Sequence, residues 1–270
     1  MSCSPAELLA VLAARELRGD TTVFAGVGLP LLAAVVAQKT HTPSLTIVVE
    51  GGSIGLEMVP GKLPNSTNEM RIAHRARMLP GITDTFLFAQ RGFLDVGFVG
   101  GAQIDRHGNL NSSVVGPYER PAVRLPGSGG ANDILSLCRR VMAMTVHERR
   151  RFVPRVDFVT SPGYLHGGDA RQRAGLIFGR LSRVVTNLCI LGFDETTRAM
   201  RLEALHPGVT VDDVAQNTGF ELVVPERLGA ISDVRGHRAV AVAVVLLDPA
   251  GIGHDAVWTP RPPPLRRADV

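Results

Sequence analysis

The sequence predicts an open α/β fold, a mainly parallel sheet flanked by helices. Residues 21–25 read as a strand, residues 30–39 as a helix and residues 45–50 as a second strand. A unit of this kind lies parallel with a right-handed crossover. The second strand, Leu45-Thr46-Ile47-Val48-Val49-Glu50, is rich in β-branched residues and closes on an acid followed by Gly51-Gly52. A charge at the end of an apolar strand belongs at its exposed carboxyl end, where open α/β sheets bind ligands. At 270 residues, 45% hydrophobic and 20% charged, the chain has enough material for one full core. No internal repeat or linker divides it. We therefore expect a single domain over residues 1–257 and a disordered tail rich in Pro and Arg over residues 258–270.

The elements follow in order. Ser4-Pro5-Ala6-Glu7 is a capping box with Pro at the first helical position, and apolar residues recur at helical spacing up to Arg18 before Gly19. Gly26-Val27-Gly28 turns the first strand into its helix; it lacks the third glycine of a dinucleotide fingerprint, so close packing or close approach of a ligand explains it better. Residues 57–84, broken by Pro60, Pro64 and Pro80, read as a long loop over the top of the sheet, with a helical turn at 68–75. Residues 86–90 fit a short helix or a strand. Residues 94–99 read as a strand, and Asp105 to Asn109 as a turn leading to another strand through Val115. A helix is expected at 134–140, and strands at 141–146 and 156–160. Residues 184–191 and 200–204 read as an antiparallel pair, and 210–214 as a short helix. Residues 239–247 are uniformly apolar, so their period cannot separate helix from strand.

Composition excludes several functions. Net charge is +4 and the basic residues are nearly all Arg, with Lys only at 39 and 62. No basic stripe carries interleaved aromatics, so nucleic acid is not an expected partner. Cys3, Cys138 and Cys189 are too scattered for a disulfide framework or a metal site, and suit packing in a reducing compartment. No apolar run is long enough to span a bilayer, and the first residues do not read as a signal peptide. A cytoplasmic protein with no membrane partner is expected.

Two features can carry chemistry. One is Glu50, which is either a reactive carboxylate or simply a loop acid following a strand. The other is Gly127-Ser128-Gly129-Gly130-Ala131-Asn132 ahead of a helix: several backbone N–H groups facing one way can hold an anion, or the segment is a flexible loop. His147-Glu148-Arg149-Arg150-Arg151 reads as a solvated edge, with a patch steering an anionic substrate as the alternative.

Taken in order, Gly26-Val27-Gly28-Leu29-Pro30, Ile47-Val48-Val49-Glu50-Gly51-Gly52, Gly100-Gly101-Ala102-Gln103-Ile104-Asp105, Gly108-Asn109-Leu110-Asn111, Gly127-Ser128-Gly129-Gly130-Ala131-Asn132, His147-Glu148-Arg149-Arg150-Arg151-Phe152 and Thr160-Ser161-Pro162-Gly163 resemble class I coenzyme A transferases. The likeness is to the β subunit of the glutaconate CoA-transferase type and covers residues 5–250. It implies the open fold shared with sugar-phosphate isomerases and a separate α subunit in a heterotetramer or larger assembly. The substrates it implies are an acyl-CoA and a carboxylic acid, with no permanently bound cofactor and no metal. It assigns Glu50 as the nucleophile that carries CoA as a glutamyl thioester. It places Gly127, Gly129, Gly130 and Ala131 at the oxyanion or CoA, and Gly28, Gly51 and Gln103 along the site. An ordinary glutamate ionises near pH 4.3, so such a carboxylate attacks a thioester without a separate base. The sequence departs from the pattern at Gly51, where a Ser commonly stands. Hydrolases and decarboxylases on the same scaffold lack this glutamate, so Glu50 favours transfer. Glu57 is the rival acid. A non-catalytic nucleotide-binding module, with glycines 26–28 and 127–130 as phosphate cradles, is the alternative from another class.

Overall fold

A computed structural model describes residues 4–19, 21–58 and 63–231. Cys3, Pro60, Lys62, the run at 239–247 and the tail at 258–270 lie outside the described residues.

The first helix, α1 (Pro5–Arg15), starts where the capping box places it: the Ser4 hydroxyl accepts the Glu7 N–H and the Glu7 carboxylate accepts that of Ser4. β1 (Thr22–Phe24), α2 (Leu29–Thr40) and β2 (Thr46–Val48) form the expected parallel unit. Residues 31–37 of α2 are fully buried on every side, because α1 packs over the helix that the sheet already covers. The strands alternate faces as a period of two requires. Val23 and Ile47 join the core beneath α1 and α2, and Phe24 and Val48 join the core on the opposite face.

After a 3-10 turn at Met70–Ala73 come α3 (Ile82–Gln90), which settles residues 86–90 as helix, and β3 (Val96–Val99). The short strands β4 (Gln103–Ile104) and β5 (Leu110–Asn111) pair antiparallel, as do β6 (Val114–Val115) and β7 (Val123–Arg124). Then follow α4 (Ala131–Leu137), β8 (Arg140–Met144), α5 (Ala170–Arg173), β9 (Leu181–Val185), β10 (Cys189–Phe193), β11 (Met200–Leu205), α6 (Val211–Gln216) and β12 (Gly229–Ala230). One eight-stranded sheet runs β12-β11-β10-β9-β8-β3-β1-β2, and it is parallel except where β10 lies antiparallel to β9 and β11.

Three expected elements differ. Residues 156–160 form no strand, because Asp157 turns its carboxylate to the Gly116 N–H and the Gln103 amide, and only Ser161 bridges to Leu110. Residues 184–191 are two strands rather than one, folded at Thr186, whose hydroxyl accepts the N–H groups of Leu188 and Cys189. That turn is closed by a side chain, with no glycine or proline to announce it. The helix expected at 134–140 begins at Ala131, and Arg140 already belongs to β8.

His147 does not sit on a solvated edge. It is 3% exposed, stacks on Phe152 with ring centroids 4.0 Å apart, and reaches Thr186 Oγ1 at 3.2 Å and Thr218 Oγ1 at 3.0 Å. Burial pushes its pKa down to about 4. The titratable group facing it is Cys189, whose thiol burial pushes up to about 12 and keeps neutral. A lowered folded-state pKa means that the unfolded chain binds the proton more tightly. The stabilisation is therefore fully present above pH ~6.5 and is lost as pH falls through about 4, a span worth about 3 kcal/mol. Urea unfolding of the protein and of His147→Gln between pH 7 and pH 4 should show the wild-type advantage shrinking by this order.

Cys138 is likewise a packing residue, with its thiol raised to about 12 by burial and by Asp95. No helix among the described residues is long and apolar enough to cross a membrane, and none of their acidic, His and Cys side chains cluster as metal ligands.

Candidate active site

β2 ends at Val48 and the chain reverses at once. Gly52 N–H donates to the Val49 carbonyl and Val49 N–H to the Ser53 carbonyl, each at 3.0 Å, so Glu50 occupies the corner of a tight turn. The returning segment pairs Ile54 with Val48 and with Met78. The long loop crosses over this corner, as its sequence suggested. A Cβ on Gly51 would stand 2.1 Å from the Thr67 carbonyl oxygen, and one on Gly52, at φ +106°, would stand 1.9 Å from that of Pro80. Only glycine admits both approaches. Gly52→Ala should therefore cost at least about 3 kcal/mol, read as a fall in the urea midpoint. A serine at position 51 would have to push Thr67 and Asn68 away.

Glu50 is half-buried, and its carboxylate takes no hydrogen bond or ion pair among the described residues. Its neighbour is the glycine segment. A Cβ on Gly130 would lie 2.8 Å from Glu50 Oε1 and 2.6 Å from Phe86 Cζ. Gly130 is the N-cap of α4, and α4 lies close because Gly97 on β3 leaves room: a Cβ there would meet Ile134 Cγ2 at 2.5 Å. Thus a glycine in one strand and a glycine at a helix start bring together two stretches that lie far apart in sequence.

The four amides expected at this point are not equivalent. Gly127 N–H donates to the Ser112 carbonyl at 2.8 Å and Ala131 N–H to that of Ser128 at 3.0 Å, so neither is a spare donor. The N–H groups of Gly129 and Gly130 have no acceptor among the described residues. These two are the donors left to a ligand. Gly129, at φ +48°, is exposed, and Gly130 is buried against Glu50.

A cavity of about 300 Å³ opens at the carboxyl ends of β1, β3 and β8. It lies where the strand order reverses, with β2 on one side of β1 and β3 on the other, the usual ligand crevice of such sheets. Gly28 lines it, at φ +84° as the N-cap of α2, together with Val99, Gly101, Met144 and Arg151. Glu50 does not line it. Ser112 and Pro126 do, and Ser112 also donates its hydroxyl to the Gly127 carbonyl at 2.9 Å, which joins the cavity wall to the glycine segment.

Gln103 is not a free side chain along the site. It is 7% exposed; its carbonyl oxygen accepts from Asn111 Nδ2 at 2.7 Å and its Nε2 donates to Asp157 at 3.0 Å. Glu57 is half exposed and pairs with Arg75 at 3.2 Å. The arginine run divides into three. Arg150 is exposed and pairs with Glu148, Arg149 donates to carbonyls at the end of α6, and Arg151 is buried in the cavity wall with Glu148 3.5 Å away. Burial lowers the Arg151 pKa, opposed by Glu148. Sequence reasoning missed this arginine, which looks like its neighbours; the buried Phe152 beside it was the signal.

A strand-end carboxylate against unspent amides at a helix start, beside a crevice at the sheet's switch point, is an arrangement that can serve acyl chemistry on an open α/β scaffold. Comparison with known proteins agrees. The coenzyme A transferase family model matches residues 6–217, and the chain belongs to that family. Over 223 residues it is 37% identical to the B-type subunit of 3-oxoadipate CoA-transferase from Pseudomonas knackmussii, covering 82% of this chain and 85% of that one. Over 226 residues it is 38% identical to the B-type subunit of glutaconate CoA-transferase from Acidaminococcus fermentans, covering 81% and 83%. The crystal structure of glutaconate coenzyme A-transferase from the same organism superposes with a TM-score of 0.81 at 33% identity, covering 95% of this chain and 98% of that one. The chain is a CoA-transferase subunit of the B type, and the naming of these relatives as subunits implies a companion subunit.

Proposed function

We propose that this subunit moves CoA from an acyl-CoA to a carboxylic acid through a covalent thioester on Glu50, working with an α subunit in a heterotetramer or larger assembly. The observation that carries the proposal is the contact between the Glu50 carboxylate and Gly130, beside amides that have no other acceptor among the described residues. Glu50 Oε attacks the thioester carbonyl carbon, and the developing oxyanion accepts the N–H groups of Gly129 and Gly130. The C–S bond breaks, leaving an acyl–glutamyl anhydride and CoA thiolate. The thiolate attacks the glutamyl carbonyl, forming the Glu50–CoA thioester and releasing the first acid. A second carboxylate then enters and the steps reverse.

Magnitudes support two aids to a bare glutamate. A carboxylate displacing a thiolate runs against about four pKa units, roughly 6 kcal/mol on a leaving-group scale. One preorganised donor at an oxyanion contributes about 3 kcal/mol. Binding of the remote nucleotide half of CoA supplies the remainder.

The co-expressed complex, given an acyl-CoA and varied acceptor acids, should show ping-pong kinetics with turnover that depends on the acceptor. Fast loss of thioester without any acceptor would favour the hydrolase reading instead, and loss of CO₂ from the substrate the decarboxylase reading. Substrates related to those of the named relatives, 3-oxoadipate and glutaconate, are the first acids to try.

A further inference from the structure

We infer that Tyr118, Phe158 and Arg124 form the surface on which the adenine nucleotide end of the acyl-CoA lands; the inference rests on the CoA-transferase reading of Glu50. Tyr118 lies in the loop joining β6 to β7, and Phe158 in the irregular segment after Pro154. Their rings stack with centroids 5.2 Å apart and planes 25° apart. The Arg124 guanidinium carbon stands 5.2 Å from the Tyr118 ring centroid. The two segments are pinned together rather than loosely apposed. Asp157, next to Phe158, accepts the Gly116 N–H at 2.9 Å and the Gln103 amide at 3.0 Å. The network that withdraws Gln103 from the site thus fixes the two rings.

The pair is held in place yet left in water: Tyr118 is 51% exposed and Phe158 36%. Two adjacent rings presented this way suit a flat, π-faced group, and a purine is such a group. Arg124 is exposed and makes no ion pair among the described residues; its loop also exposes Arg120 and one acid, Glu119, so the balance of charge is positive and suits the phosphates of a nucleotide. An apolar protein partner would have less use for these charges.

Reach is consistent. Arg124 ends β7, and the chain runs from it directly through Leu125 and Pro126 to the glycine segment. Six extended residues span at most ~21 Å, so the Arg124 and Gly130 backbones are no further apart than that. An extended phosphopantetheine arm spans roughly 16 Å from sulfur to its first phosphorus at ordinary bond lengths, with the adenosine beyond. A thioester at Glu50 can therefore place its nucleotide on the platform.

The test uses the co-expressed complex with Tyr118→Ala and Arg124→Ala, assayed with an acyl-CoA and with the matching acyl-pantetheine thioester, which lacks the nucleotide. Each variant should raise KM for the acyl-CoA about tenfold or more, with kcat/KM for the pantetheine thioester unchanged. Adenosine 3′,5′-bisphosphate should inhibit the wild type competitively with acyl-CoA and inhibit the variants correspondingly less. Unchanged KM for acyl-CoA, or equal losses with both thioesters, would overturn the inference. So would failure of the companion subunit to co-purify with Arg124→Ala, which would make this face a subunit contact. A wild-type complex that transfers no CoA defeats the reading of Glu50 itself; an active one whose variants behave as wild type defeats only the platform.

Discussion

Glu50→Ala should lower kcat/KM for acyl-CoA by at least about 10⁴-fold while leaving the thermal midpoint of the complex within a degree or two of the wild type. The two halves of this result have different causes. Activity falls because the carboxylate is the attacking group. Glu57 is held by Arg75 at 3.2 Å on the surface. Stability barely moves because Glu50 makes no hydrogen bond or ion pair among the described residues, and the turn that carries it is closed by backbone bonds of Val49, Gly52 and Ser53. Alanine at a turn corner keeps those bonds. A structural acid would show the opposite split, with stability lost and turnover spared. Steady-state assay and a melting curve on the same preparation separate the two.

Gly130→Ala should have the next largest effect, a fall in kcat of about 10²-fold with little change in KM for acyl-CoA. The added methyl would stand 2.8 Å from Glu50 Oε1 and 2.6 Å from Phe86 Cζ, so both side chains must give. The backbone at Gly130, φ −82° and ψ 2°, accepts alanine without strain. The damage is therefore local: the carboxylate is displaced from the amides that meet the oxyanion, and the nucleotide end of the substrate is untouched. Gly129→Ala probes the same pair differently. A Cβ there meets no atom within 4 Å, but φ is +48°, so strain tilts the amide rather than crowding the acid. The Gly130 variant should lose the larger share of its rate in the glutamyl thioester-forming step, measured in a single turnover with acyl-CoA in the absence of an acceptor acid.

Much of this was legible in the sequence, for reasons that differ by element. The strand–helix–strand unit at residues 22–48 shows because its apolar runs are bounded by glycine and proline, and its register follows from burial on both faces. Glu50 stands out because an acid closes an apolar strand and two glycines free the turn behind it. The Thr186 turn was not legible, since a hydroxyl closes it in place of glycine or proline. Nor were the separate roles in the arginine run, because Arg149, Arg150 and Arg151 differ only in what folds over them. The glycine segment could be read as a cradle or as a flexible loop, and its amides could not be ranked: whether the Gly127 N–H is spent depends on Ser112, fifteen positions earlier in the chain. The partners of Gln103 were hidden for the same reason, since Asp157 and Asn111 claim its amide only once the chain has folded.

The most direct measurement is chemical capture of the intermediate. The co-expressed complex is incubated with acyl-CoA and no acceptor acid, reduced with borohydride, digested and mapped by mass spectrometry. Reduction of a glutamyl thioester turns that side chain into a primary alcohol and releases CoA. The account predicts that the peptide containing Val49-Glu50-Gly51 carries this alcohol, and that it is absent when acyl-CoA is omitted. An unmodified Glu50 in a complex that still transfers CoA would contradict it.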